Sequence, residues 1–468
     1  MKVYFADFSQ NKASNRTESA FIRRVLIEFK ITNYRSIRAE QTLSMVASNY
    51  SDELPQNLIS CDDVPGMKGT KLVKAVALYG ANASGKSNIV AALRFFAEFV
   101  RDSATKLQPG APTGAQPFKL DPACLTEPSK FEITAVINGI RTLYGIELTR
   151  ERVTSEYLVA YPKGRPQVWF ERDWNPTKGG YEWSKSSENF KHDKALQDKT
   201  RENAAFVSVA AQFAHEQSKR ITDWFSKKLV FAVMAHVHAT ACLPGAYLND
   251  ERTRSKFSSL LLHADLGLTE ARSRKANTVD VMSDALSLGT NKETSEMLVD
   301  LINHSANEDA KAKVTESVSK MSIPELIHRG VDGNAISFDY ETEESLGTRR
   351  YSSLIAELLR AHFAKAVLIA DEIEISLHPL LVKEAISLFH EGNFSDAPNL
   401  IFTTHNPLLL DQTLLRRDQI WFTEKDQEGA TRLYPLTDFK PRRDELLVKG
   451  YLAGRYGGIP FIPEGLKF

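Results

Sequence analysis

Apolar residues along this chain recur in two spacings, every second position or every third and fourth, and the alternation divides it into strand-like and helix-like stretches. The first strand signal is Val25-Leu-Ile-Glu-Phe-Lys-Ile-Thr-Asn-Tyr34, after which residues 48–70 carry the Pro, Asp and Gly of a loop. The apolar run Lys74-Ala-Val-Ala-Leu-Tyr79 predicts a buried strand, and residues 88–105 a helix. Residues 131–148 read as a hairpin. Asn138-Gly139 lies between two apolar-rich runs and supplies the two positive φ angles of a type I′ turn. A second hairpin is expected over residues 156–170, turning at Lys163-Gly164.

From Lys194 to Pro324 the spacing becomes mainly helical, with Phe206, Val209 and Phe213, and Phe257, Leu260, Leu261 and Ala264, as core-facing positions. The polar stretch 287–320 reads as an exposed helical insertion or a partner-binding element. Strands then alternate with helices. Strands are expected at 335–340, 366–370, 399–403 and 419–422, with helices at 351–363 and 379–392. That order predicts a mainly parallel α/β sheet. The fold class is therefore α/β with a mixed sheet, an antiparallel β subdomain and an inserted, mainly helical lobe. Its expected parts are a polar extension (1–24), a first α/β lobe with the β subdomain (25–193), a helical insertion (194–330) and a second α/β lobe (331–468).

Composition narrows the partners. The 468 residues suffice for roughly two to four structural units. With 59 basic and 59 acidic residues, no bulk field points to nucleic acid. Cys61, Cys124 and Cys242 are far apart, without metal-ligand spacing, and read as reduced, buried thiols of a cytoplasmic protein. No sustained heptads predict coiled-coil arms, and no window is long enough to span a membrane.

Chemistry concentrates in Gly80-Ala-Asn-Ala-Ser-Gly-Lys-Ser87, which fits G-x-x-x-x-G-K-[ST] between a strand and a helix. Glycines let the loop wrap an anion, so that backbone N–H groups from Gly80, Asn82, Ala83, Ser84, Gly85 and Asn88 are expected around phosphates. Lys86 reaches the outer phosphates, and the Ser87 hydroxyl is a ligand for Mg²⁺. A nucleoside triphosphate is the expected ligand. Asp371 and Glu372 end an apolar strand. Asp371 would hold the metal's hydration shell and Glu372 polarise the attacking water. His405 follows the next strand, where a neutral imidazole would meet the γ-phosphate or else cap the turn before Pro407. Ser345, with Gly347, precedes a helix and reads as a plain N-cap or as a second anion site. A two-fold dimer, each chain closing Ser345 and Gly347 on the other's nucleotide, would explain two phosphate-recognising ends in one chain. Tyr34 or Phe29 would stack on the base, with ATP against GTP left open.

Together these residues resemble the ATP-binding-cassette fold in its SMC-like and OLD-like soluble branch, over roughly residues 26–460. Gly80–Ser87 matches the Walker A loop, 366–372 the Walker B strand with its catalytic glutamate, and Ser345-Leu-Gly347-Thr a reduced signature. Ile375-Ser-Leu-His378-Pro lies at the D-loop and His405 at the switch histidine. Asn33-Tyr-Arg-Ser36 and Tyr451-Leu-Ala-Gly-Arg-Tyr-Gly-Gly-Ile-Pro460 add a resemblance to prokaryotic ATPases of the RloA/AbiLi, PtuA and AriA type. That resemblance implies ATP and Mg²⁺ as cofactors and ATP-sandwiched homodimers. It also implies a sensor role in anti-phage (abortive infection) defence beside a separate nuclease or toxin effector. No TOPRIM-like nuclease domain is expected after His405, so cleavage would belong to a partner chain. For the Q-loop glutamine, Gln116 and Glu156 both stand as candidates. The alternative is an SMC-like DNA-binding ATPase of repair or chromosome maintenance, if Arg349, Arg350, Arg416, Arg417, Lys440, Arg442 and Arg443 share a face.

Overall fold

A computed structural model describes residues 25–49, 53–184, 187–232, 242–275, 322–390 and 399–460. At its centre is a sheet in the order β11 (Leu229–Ala232), β15 (Val367–Ala370), β16 (Leu400–Thr404), β5 (Ala75–Gly80), β17 (Ile420–Lys425) and β18 (Thr431–Pro435). Neighbours from β11 to β17 run parallel, and β18 closes the edge antiparallel. The mainly parallel sheet expected from the strand–helix alternation is thus present.

Strand period 2 sends successive side chains to opposite faces. In β5, Ala75, Ala77 and Tyr79 enter one core, whereas Val76 and Leu78 enter another. β15 splits the same way, Leu368 and Ala370 against Val367 and Ile369. Burial on both faces is what makes such strands read as continuous apolar runs. On the first face lie α7 (Leu346–Ala364) and α8 (Pro379–His390), which contribute Leu354, Leu358, Ile386 and Phe389. Helix α1 (Lys86–Lys106) covers the second with Ile89, Leu93, Phe96 and Val100.

Beyond α1 packs an antiparallel sheet in the order β10 (Gly180–Trp183), β9 (Gln167–Asn175), β8 (Val153–Ala160), β7 (Ile140–Leu148), β6 (Ser129–Ile137), β1 (Leu26–Thr32) and β2 (Gln41–Ser44). Its inner residues Phe29, Phe131, Ile133 and Tyr144 share the core of α1. Asn138 and Gly139 take φ of 51° and 79°, the two left-handed positions the hairpin requires. A small pair, β3 (Leu58–Ser60) with β4 (Lys71–Val73), occupies the loop ahead of β5.

The described part of the 194–324 stretch is mainly helical, as read, but not wholly so. Helices α2 (Lys194–Asp198), α3 (Phe206–Gln212), α4 (Glu216–Lys227), α5 (Cys242–Asn249) and α6 (Glu251–His263) are there. So, however, are β11 in the central sheet, β12 (Leu268–Lys275) and β13 (Ser322–Arg329). The last two pair antiparallel from Leu268↔His328 to Lys275↔Ser322, and β14 (Ala335–Phe338) extends them. Phe213, expected in the core, is exposed, unlike Phe206 and Val209. The 287–320 stretch and the 1–24 extension lie outside the described residues. Helix α9 (Leu447–Leu452) follows the sheet. No helix among the described residues is long and apolar enough to cross a membrane.

Candidate functional site

The C-terminal ends of β5, β15 and β16 meet at one edge of the central sheet, where ligands collect in open α/β folds. β5 ends at Gly80 and α1 begins at Lys86, so the intervening loop closes on a helix N-terminus whose first N–H groups have no intrahelical partner. Gly85 occupies the N-cap at φ 110°, and no side chain caps it. A Cβ at Gly85 would stand 2.1 Å from Thr431 Oγ1, so only glycine fits. Ala83 also lies in the left-handed region, at φ 62°.

Hydroxyls brace the loop from behind. Thr431 Oγ1 donates to Ser84 O (3.0 Å), which leaves Ser36 Oγ to donate to Thr431 Oγ1 (2.8 Å). Asn88 Nδ2 donates in turn to Ser36 Oγ (2.7 Å). Ser84 Oγ and Thr423 Oγ1 lie 2.6 Å apart. Lys86, 5 % exposed, donates from Nζ to Gly80 O (2.8 Å) and Ala81 O (3.1 Å). Burial pushes its ammonium down to about 8, against the upward pull of Asp371, Glu372 and Glu374.

Across from the loop, Ser87 Oγ donates to Asp371 Oδ1 (3.2 Å). The same oxygen accepts from Thr403 Oγ1 (2.6 Å), and Thr403 Oγ1 accepts the Glu372 N–H (2.7 Å). This fixes the turn in which Glu372 adopts φ 50°. His405 follows β16, and its main-chain N–H donates to Glu374 Oε1. Burial, then Lys86, hold the His405 imidazole below its ordinary value, opposed by the three carboxylates. The turn before Pro407 is capped by Asn406, whose Oδ1 accepts the Leu408 N–H (3.0 Å). Gly80 to Asn88, Asp371, Glu372 and His405 are thus brought together.

These groups suit a magnesium nucleotide. Ser87 Oγ and Asp371 Oδ1 converge as hard oxygen donors, no side chain caps the helix N-terminus at Gly85, and Lys86 supplies a cation.

Ser345 is the N-cap of α7. Its Oγ accepts the Thr348 N–H (3.0 Å) and pairs with Thr348 Oγ1 (2.9 Å), while the residue stays exposed. A Cβ on Gly347 would lie in ordinary contact, 3.6 Å, with Ser376 O, so this segment abuts the 375–378 turn of its own chain. Glu344, just before, is buried and accepts His328 Nε2 at 2.7 Å. His378 Nδ1 accepts the Leu380 N–H (3.3 Å) at the start of α8.

Several expectations fail on burial. Phe29 and Tyr34 are interior, Tyr34 stacked on Phe95 with centroids 5.4 Å apart, so neither meets a base. Glu156 is fully buried and its oxygens are taken by Arg172, Tyr144 Oη and the Phe206 and Val207 N–H groups, which excludes it as a metal ligand. Gln116 instead accepts Arg35 Nε (3.1 Å) at an exposed turn. Of the basic residues weighed for DNA, Arg350 and Arg416 are buried, Arg416 against Asp418. Arg349 pairs with Glu341 and Arg417 with Glu53, so these do not form a free stripe. Cys61 and Cys124 are buried, and the Cys242 side chain lies outside the described set. Sequence reasoning missed Thr403, Glu374, Thr423 and Thr431 and quoted Ser36 only within the Asn33–Ser36 resemblance, with no role at the loop; Thr403 carried a local signal, a polar residue at the end of an apolar strand.

Residues 75–211 and 249–411 match the model of a family described as "AAA domain, putative AbiEii toxin, Type IV TA system". Among solved structures, the chain is similar to the SMC head domain from Thermotoga maritima, with 12% identity and TM-score 0.37, covering 88% of this chain and 98% of that one. It is also similar to an SmcHead bound to the C-winged helix domain of ScpA, with 11% identity and TM-score 0.37, covering 88% and 97%. No curated protein matches the chain.

Proposed function

The chain belongs to this AAA domain family, and on that premise we propose that it binds ATP with Mg²⁺ at the Gly80–Asn88 loop and hydrolyses it to drive a sensor cycle. One observation carries the reading: Ser87 and Lys86 on α1 face Asp371 and Glu372 after β15, locked in place by Thr403. Ser87 Oγ and Asp371 would hold the metal, and Mg²⁺, when bound, neutralises phosphate charge. Lys86 and the loop N–H groups of Asn82, Ala83, Ser84 and Gly85 orient the phosphates. Glu372 takes the proton of the attacking water on its carboxylate, and His405, neutral and facing the same space, orients the γ-phosphate.

Exposed Ser345, with Gly347, supports a homodimer in which each helix α7 closes on the partner's nucleotide. ATP would hold the closed dimer and hydrolysis release it, a change reported to a separate nuclease or toxin in abortive-infection defence. The buried, unpaired thiol of Cys124 suits a reducing cytoplasm.

The test is ATP binding, turnover and light-scattering mass for the parent, Lys86→Ala, Glu372→Gln and Ser345→Arg. Lys86→Ala should lose binding, Glu372→Gln should bind, stay unhydrolysing and collect as dimers, and Ser345→Arg should remain monomeric with ATP. Parental turnover in Glu372→Gln would remove that residue from the mechanism. ATP-dependent dimers of Ser345→Arg would refute the shared site.

A further inference from the structure

Glu374 has no part in the roles given so far. It lies in the tight turn after β15, between two left-handed residues, Glu372 at φ 50° and Ser376 at φ 60°. Its Oε1 accepts the main-chain N–H of His405 at 2.5 Å. Its Oε2 is sealed from solvent, with no hydrogen-bond partner among the described residues. A dry, unmatched oxygen on a carboxylate is costly, which leaves the bond from Oε1 to the His405 N–H as the contact that holds this side chain in place. The charge also reaches Lys86, His405 and the buried Tyr79.

The same junction is fastened a second time. Thr403 bridges Asp371 Oδ1 and the Glu372 N–H, and the Ile373 N–H donates to Thr403 O (3.1 Å). Thr403 therefore fixes the two acids relative to β16, while Glu374 reaches back from the acid turn to the residue that begins the following segment. Among the described residues, no other hydrogen bond ties His405 to the acid turn.

We propose that Glu374 is a positioning residue for ATP turnover, accepting the His405 main-chain N–H and thereby holding the imidazole in register with Asp371 and Glu372. The inference rests on the ATPase reading above and adds a residue that acts through His405 rather than on the nucleotide. What it requires of residue 374 is an acceptor at the right reach. Glutamine keeps one, alanine removes it, and aspartate withdraws it by a methylene.

The experiment uses the full chain, deuterated and labelled with ¹⁵N-histidine, as parent, Glu374→Gln, Glu374→Ala and Glu374→Asp. In the nucleotide-free proteins the His405 amide proton should lie far downfield in the parent, as for a short charge-assisted bond, and stay bonded in Glu374→Gln. It should move upfield in Glu374→Ala and Glu374→Asp. With Mg-ATP, kcat should fall about 10- to 100-fold in Glu374→Ala, with little change in ATP affinity, and recover in Glu374→Gln. Should the alanine variant not fold, the aspartate variant carries the same expectation. Glu374→Gln as slow as Glu374→Ala, with ATP still bound, would overturn the proposal, because the charge itself would then be acting. Parental kcat in Glu374→Ala would also overturn it. A parent that turns over no ATP sinks the ATPase reading alone, and an unmoved His405 amide in Glu374→Ala sinks the positional inference alone.

Discussion

Arg172→Met tests whether Glu156 is an internal counter-ion rather than a nucleotide-site ligand. Both side chains are fully buried and pair at 2.7 Å, with a second contact from Arg172 Nε at 2.9 Å. Glu156 also accepts Tyr144 Oη (2.9 Å) and the first two N–H groups of α3, Phe206 (2.7 Å) and Val207 (3.2 Å). Removing the guanidinium strands a carboxylate with three neutral donors, and breaking a buried pair from one side costs about 3–5 kcal/mol. Glu156→Gln strands the arginine instead. One amide oxygen can still serve Tyr144 and Val207, but the NH₂ then confronts Arg172 and the Phe206 N–H, so a loss of similar size is expected. Combining the two changes removes the donor-against-cation clash, and the double variant should lose at least about 1 kcal/mol less than the two losses added together. Urea unfolding followed by tryptophan fluorescence reads this locally, since Arg172 lies over Tyr181 and Trp183 at 4.7 and 5.6 Å. The Mg²⁺ dependence of nucleotide binding should be unchanged in every variant that folds. A loss below about 1 kcal/mol in Arg172→Met, as for an exposed pair, would refute the counter-ion account. So would a stable Glu156→Gln with an altered Mg²⁺ requirement.

Other expectations follow from the loop and its supports. Gly85→Ala, forced to φ 110° with its Cβ against Thr431, should abolish ATP binding and cost about 1–3 kcal/mol in thermal unfolding. Thr403→Val removes the donor to Asp371 and the acceptor for the Glu372 N–H, and should slow turnover about tenfold or more while ATP titration stays near parental. Lys86 is a cation below about 8 and neutral above it, so ATP affinity should decline as pH rises through that value. Lys86→Arg, which stays charged, should show no such decline in calorimetric titrations across the same range.

Much of this architecture could be read from local pattern. The phosphate loop, the strands at 75–80 and 367–370 and the Asn138-Gly139 hairpin are set by spacing and turn chemistry over a few residues. What stayed hidden depends on distant partners. Leu229-Val-Phe-Ala232 is too short an apolar run to separate strand from helix, and becomes a strand by lying beside β15. β12, Leu-Thr-Glu-Ala-Arg-Ser-Arg-Lys, has helix-forming composition with only Ala271 buried, and its strand state comes from pairing with β13 far along the chain. Tyr34 and Phe29 looked available for a base because nothing nearby announces the aromatic core that receives them. At the site, Thr431 and Ser36 buttress the loop from remote positions, and Glu374 resembled any acid after an acidic pair.

The register of β12 with β13 has a further consequence. Lys275 and Ser322 face one another across the ladder as its last register pair. An ordinary two-residue hairpin turn would bridge that gap, and the ladder from Leu268 to His328 would keep its alignment. Shortening the chain between Lys275 and Ser322 to such a turn would therefore leave the β12–β13 pairing intact.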